Sequence, residues 1–96
     1  MTKEQLLHYK HTVRNPKKGL HDISKAFWKV KALIDKNVEE DYIREIFYAR
    51  FLQFKPWATI GVECNNATAD CVRKIIERYI KKTQNKGGEQ NGFKNI

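Results

Sequence analysis

Between Lys55 and Lys82 the chain gathers side chains suited to a polyanion with readable edges: Arg73, Lys74, Arg78, Lys81 and Lys82, preceded by Asn65, Asn66, Thr68, Ala69 and Asp70. An arginine guanidinium bonds guanine in two places, a lysine ammonium neutralises phosphate, and short polar residues let a helix end approach base edges. Lys55 adds a cation ahead of the asparagines, and Glu77 shares the polar side with the basic residues. Asp70 suits the dipole at a helix N-terminus better than a contact to cytosine. These twelve positions are the expected contact with double-stranded DNA.

The elements that must position them follow from periodicity. Val72, Ile75, Ile76, Tyr79 and Ile80 recur at helical spacing, so a helix is expected from Ala69 to about Thr83, capped by Thr68. Pro56 suits the first turn of a short preceding helix that carries Trp57 and Ile60 inward and stops near Glu63. The break at Cys64-Asn65-Asn66 separates the two, giving a helix-turn-helix over about 56–82.

Three further helices complete an all-α, five-helix expectation. Thr2 and Gln5 form a capping box for a helix from Lys3 to about His11. Arg14 to Gly19 is a turn around Pro16. Asp22 is read as the cap of a helix from Ile23 to about Lys36, with Ile23, Ala26, Phe27, Val30, Leu33 and Ile34 on its apolar face. Asn37 and Glu40 read as a second capping box, opening a helix to about Gln53 that buries Tyr42, Ile43, Ile46, Phe47, Ala49 and Leu52. Residues 1–83 thus make one helical domain, and Gln84 to Ile96, with Gly87, Gly88 and Gly92, reads as a mobile tail.

Composition narrows the function classes. A chain of 96 residues with a formal net charge of +8 has one modest core and the electrostatics for an anionic partner. It has no apolar run of the roughly 18 residues a membrane span needs, and its polar start does not read as a signal peptide, so a cytoplasmic place is expected. Cys64 and Cys71 read as reduced thiols packed as small hydrophobes. His8 and His11, three residues apart, could share a helix face and with the two cysteines hold enough ligand atoms for zinc, but the seven-residue cysteine spacing fits no common zinc site, so they read as an exposed pair. No phosphate loop, nucleophile elbow or HExxH is present, so neither an enzyme nor a cofactor is expected. Phe27, Phe47 and Trp57 read as core rather than base-stacking surface. Trp28 reads as a dimer contact or a partial cover for the core.

Arg50-Phe51, Trp57 through Ile60, Thr68, and Val72 through Ile75 with Ile80 beyond carry a resemblance. Residues from about Tyr42 to Lys82 resemble region 4 of bacterial sigma factors, and more closely the phage transcription regulators of the autolysin-regulatory (ArpU) kind. The turn Cys64 to Ala67 is about one residue longer than that pattern, Gly61 stands where alanine is usual, and Tyr79 replaces a small residue. The resemblance implies a sequence-specific DNA-binding transcription regulator of phage or mobile-element origin, inserting its last helix into the major groove. A homodimer through the first two helices is expected, since one such helix reads few base pairs. The alternatives are a protein-binding module or inhibitor acting on RNA polymerase or another nucleic-acid enzyme, and a small DNA-packaging subunit.

Overall fold

The computed structural model describes the backbone of residues 1–65 and 67–92, with side chains for 1–64 and 67–83. Among these residues the chain is all-helical, without a strand. The elements are α1 (Lys3–Leu6), α2 (His8–Arg14), α3 (Leu20–Asn37), α4 (Asp41–Phe51), α5 (Trp57–Ile60), a π-helical turn (Gly61–Asn65) and α6 (Ala69–Gly92).

The N-terminal capping box forms as the spacing predicts. Thr2 Oγ1 accepts from the Gln5 amide at 3.2 Å, and Gln5 Oε1 accepts from the Thr2 amide at 2.8 Å. One predicted helix becomes two, α1 and α2, hinged at Leu7. Leu6 is fully buried, and the Leu7 amide still donates to Lys3 O at 3.0 Å, so the hinge keeps its backbone bonds.

Two cap assignments are corrected. Helix α3 begins at Leu20 rather than Ile23, its N-cap is Gly19, and Asp22 sits at the third helical position with Oδ2 3.4 Å from the Gly19 amide. Aspartate is favourable at either place, as cap or as first-turn anion. Asn37 does not open α4. It ends α3, donating its side-chain amide to Leu33 O at 2.8 Å. Val38 is drawn into the core in extended conformation, and α4 starts only after it, with Glu40 as an N-cap whose side chain makes no bond to the helix amides. Arg44 secures this linker by donating to Val38 O at 3.2 Å and Glu39 O at 2.9 Å.

Helix α4 touches α3, α5 and α6 and so organises the core. Phe47, Ile46, Ile34, Val30, Val38, Leu6, Ile60, Val72 and Ile76 are essentially solvent-free. Truncating Phe47 to alanine would cost about 3–5 kcal/mol, the usual loss for a large aromatic in a packed core. Tyr42 is an exception to the predicted apolar face: it is 52% exposed in the first turn of α4, although Ile46 and Ala49 on the same side of the helix are buried. After α4, Phe54 adopts a left-handed backbone (φ 59°) and stacks on Tyr9 with ring centroids 5.3 Å apart. That contact lays the α4–α5 loop on α2.

Helix α6 runs well past the predicted end at Thr83 and takes in Gly87, Gly88 and Gly92. Each glycine disfavours an isolated helix by about 1 kcal/mol, but extending an existing helix adds a bond per residue without a new nucleation cost. Residues 93–96 of the predicted tail lie outside the described residues.

Candidate nucleic-acid interface

The segment from Pro56 to Lys82 folds as a helical corner. Pro56 is the N-cap of α5 rather than its first residue, and Trp57 and Ile60 point inward, Ile60 completely buried. The predicted break at Cys64-Asn65-Asn66 is corrected at its start: the π-helical turn continues directly from α5, so Cys64 and Asn65 are helical and the corner into α6 comes after them. The Ala67 amide donates to Gly61 O at 2.8 Å, closing the corner. A Cβ built on Gly61 would lie 2.3 Å from the Ala67 carbonyl oxygen, so only glycine permits this approach. Thr68 caps α6 as predicted, its Oγ1 accepting from the Cys71 amide at 3.2 Å.

Val72, Ile76 and Ile80 are buried and Ile75 and Tyr79 half-buried against the core. Tyr79 also donates its hydroxyl to Glu40 Oε1 at 2.9 Å, tying α6 to the linker before α4. The polar residues are turned out by the same geometry. Thr68, Asp70, Arg73, Lys74, Glu77, Arg78, Lys81 and Lys82 are all exposed, and Ala69 is half-buried. Asn66 lies outside the described residues, as does the side chain of Asn65.

Several of these cations are already engaged. Asp70 pairs with Arg73 Nη2 at 2.5 Å and with Lys74 Nζ at 3.2 Å. The ammonium of Lys74, then the guanidinium of Arg73, hold its carboxyl below the usual range. Lys55 is half-buried and pairs with Glu63 at 2.6 Å, the hydrogen bond raising its pKa. Arg78 and Lys81 make no ion pair among the described residues. Lys82 Nζ sits 5.4 Å from the Tyr79 ring centroid. The outer face of α6 thus presents Arg78, Lys81 and Lys82 without an ion pair among the described residues, while Arg73 and Lys74 are paired with Asp70.

Arg50 was not among the expected contacts. Its guanidinium lies 4.3 Å from the Trp57 ring centroid and donates to Lys55 O at 3.1 Å, while burial lowers its pKa. With Lys3, Trp57, Arg73 and Glu77 it borders a cleft of about 170 Å³ along the flank of α6. The adjacency of Arg50 and Phe51 marked a helix end in the sequence, but nothing local announced that Arg50 would stack on Trp57.

The remaining reactive groups are unremarkably placed. Cys64 packs half-buried beside the core, whereas Cys71 is exposed in the first turn of α6, so the expectation of two buried thiols holds for Cys64 alone. His8 and His11 are both exposed. Among the described residues no cluster of three potential metal ligands occurs, and no helix is long and apolar enough to cross a membrane. Comparison with protein-family models, with characterised proteins and with solved structures finds no match.

Proposed function

We propose that the corner formed by α5, the π-helical turn and α6 is a DNA-binding helix-turn-helix, and that the protein is a sequence-specific transcription regulator rather than an enzyme. The observation that carries this is the two-sided character of α6. Val72, Ile76 and Ile80 anchor one side in the core, while Thr68, Asp70, Lys74, Arg78 and Lys81 stand out on the other, beginning directly after a capped turn. A helix presented by its N-terminal turn after a tight corner is the geometry that enters a major groove. The resemblance to phage regulators of the autolysin-regulatory kind supports the same function, and with it a cytoplasmic place and a phage or mobile-element origin.

A protein partner such as RNA polymerase is the alternative, favoured by one observation. Residues 38–83 carry eight Lys and Arg against seven Asp and Glu, and Val62 stands 68% exposed on the outside of the corner beside Ala58 and Thr59. A segment of so little net charge, with an exposed apolar knob on its corner, suits protein contact as well as phosphate contact.

Selection of bound fragments from a random duplex pool, followed by titration of the winner against salt, tests the proposal. Enrichment of one sequence with a steep fall of affinity as salt rises is expected. A pool that stays random and a flat salt response overturn it in favour of the protein partner.

A further inference from the structure

The positive charge of the chain lies mostly away from α6. Residues 1–37 hold nine Lys and Arg against three Asp and Glu, a net +6 of the total +8. They fold into α1, α2 and α3, and between α2 and α3 runs an open groove of about 660 Å³. Its walls carry Lys18, Lys25, Lys29, His8, His21 and the indole of Trp28. One carboxylate, Asp22, also lines it and is turned to the Gly19 amide at 3.4 Å.

Trp28 is 60% exposed, although a residue of its size is usually well covered. It is nevertheless held in place. Phe27 packs edge-on against it with centroids 5.3 Å apart, Tyr9 packs edge-on against Phe27 at 5.3 Å, and Phe54 stacks on Tyr9. Lys31, 5.9 Å from the Trp28 ring centroid, is paired with Asp35 at 3.0 Å. Lys18, Lys25 and Lys29 make no ion pair among the described residues.

We infer that the α2–α3 groove is a second nucleic-acid site, separate from the outer face of α6, and that its ligand is a single-stranded polynucleotide. A supported aromatic platform flanked by unneutralised lysines lets a base stack while adjoining phosphates meet ammonium groups. A duplex satisfies only half of this chemistry, because its bases are already stacked and present no face to an indole. The occupant therefore matches the groove in charge and in its free π surface. The inference stands independently of what α6 binds.

The test is fluorescence anisotropy of a labelled oligothymidylate strand titrated with the full chain at low salt. Trp28→Ala should weaken the complex about fivefold or more, and Trp28→Phe, which keeps a stacking ring, should lose much less. Replacing Lys25 and Lys29 together by alanine should flatten the salt dependence by about 1.4 units of slope, or 0.7 per phosphate contact to a single strand. Trp28→Ala should leave duplex affinity within about twofold, because an indole has no unstacked base to meet there. Far-UV circular dichroism verifies that each variant is folded. Absence of strand binding, or equal binding by Trp28→Ala, overturns the inference. So does a Trp28-dependent preference for anionic lipid vesicles over the strand. A dimer that Trp28→Ala splits without changing strand affinity would likewise overturn it and assign the indole to a second copy of the chain.

Discussion

Gly61 and Ala67 face each other across the corner so closely that the Ala67 amide reaches Gly61 O at 2.8 Å, and a Cβ on residue 61 would stand 2.3 Å from the Ala67 carbonyl oxygen. The obstacle is backbone, which cannot rotate aside as a side-chain tip does. Gly61 itself has ordinary right-handed helical angles (φ −59°, ψ −46°), so its requirement is space and not a left-handed conformation. Without the close approach, Gly61→Ala would stabilise the helical turn by about 1 kcal/mol. With it, the substitution should destabilise by about 1–3 kcal/mol through overpacking. Urea unfolding followed by circular dichroism reads the sign, and a raised midpoint would show that the corner is looser than described.

Tyr48 and Asp35 give a pH prediction. The Tyr48 hydroxyl donates to Asp35 Oδ1, joining α4 to the last turns of α3, and Lys31 pairs with the same carboxylate at 3.0 Å. The Tyr48 bond is the largest influence holding the Asp35 carboxyl below its ordinary 3.8. A depressed folded value means the stabilisation is present above pH 3.8 and disappears as pH falls through the folded pKa. Tyr48→Phe should therefore be less stable than the parent at neutral pH, and the two unfolding midpoints should converge in acid. At the alkaline end, burial first and then Asp35 raise the Tyr48 pKa, so its contribution is present below 10 and fades as pH rises past it. A gap that stays constant from neutral pH to acid would mean the pair contributes nothing.

Periodicity made the helices legible, and it misled where a single buried residue outweighed it. The face of α3 was visible in Ala26, Val30 and Ile34, all buried as expected. The capping box at Thr2 and Gln5 formed because nothing competes with it locally. The apparent box at Asn37 and Glu40 did not, since burying Val38 pulls the chain into an extended step between them. At the candidate site, the outward turn of Lys74, Arg78, Lys81 and Lys82 followed directly from the apolar positions of α6. The Asp70 pairs with Arg73 and Lys74 were also readable, at spacings of three and four along one helix. The need for glycine at 61 was not readable, because it arises from a carbonyl on the far side of the turn.

Asp70→Asn separates a structural role for that carboxylate from a binding one. If α6 binds DNA as proposed, Arg73 and Lys74 must exchange Asp70 for phosphate or base, and the carboxylate would repel the DNA backbone. Removing the charge should raise duplex affinity about threefold or more at low salt and steepen the salt dependence. Discrimination among sequences should fall, because the added attraction is indifferent to base identity. The helix loses a first-turn anion, so thermal stability should drop slightly. Weaker duplex binding by a folded Asp70→Asn protein would instead make the carboxylate a direct contact to a base.

Arg73 and Lys82 provide the sharpest test of how α6 would read DNA. Arg73 lies in the second turn, half exposed on the flank shared with Trp57 and Glu77, whereas Lys82 lies two and a half turns further along with its ammonium over Tyr79. If α6 enters the groove by its N-terminal end, Arg73→Ala should cost about 1–3 kcal/mol on the selected site and relax discrimination at one base pair. Lys82→Ala should weaken all sequences alike and flatten the salt dependence by about one unit of slope. Both side chains lie off the buried face, so both variants should melt as the parent does. Val72→Asp is the contrasting control: Val72 is fully buried, and an unpaired carboxylate there should unfold the corner and abolish every activity together. If Arg73→Ala and Lys74→Ala bind the selected duplex as tightly as the parent while remaining folded, α6 is not the reader. The exposed Val62 side of the corner then becomes the surface to probe for a protein partner.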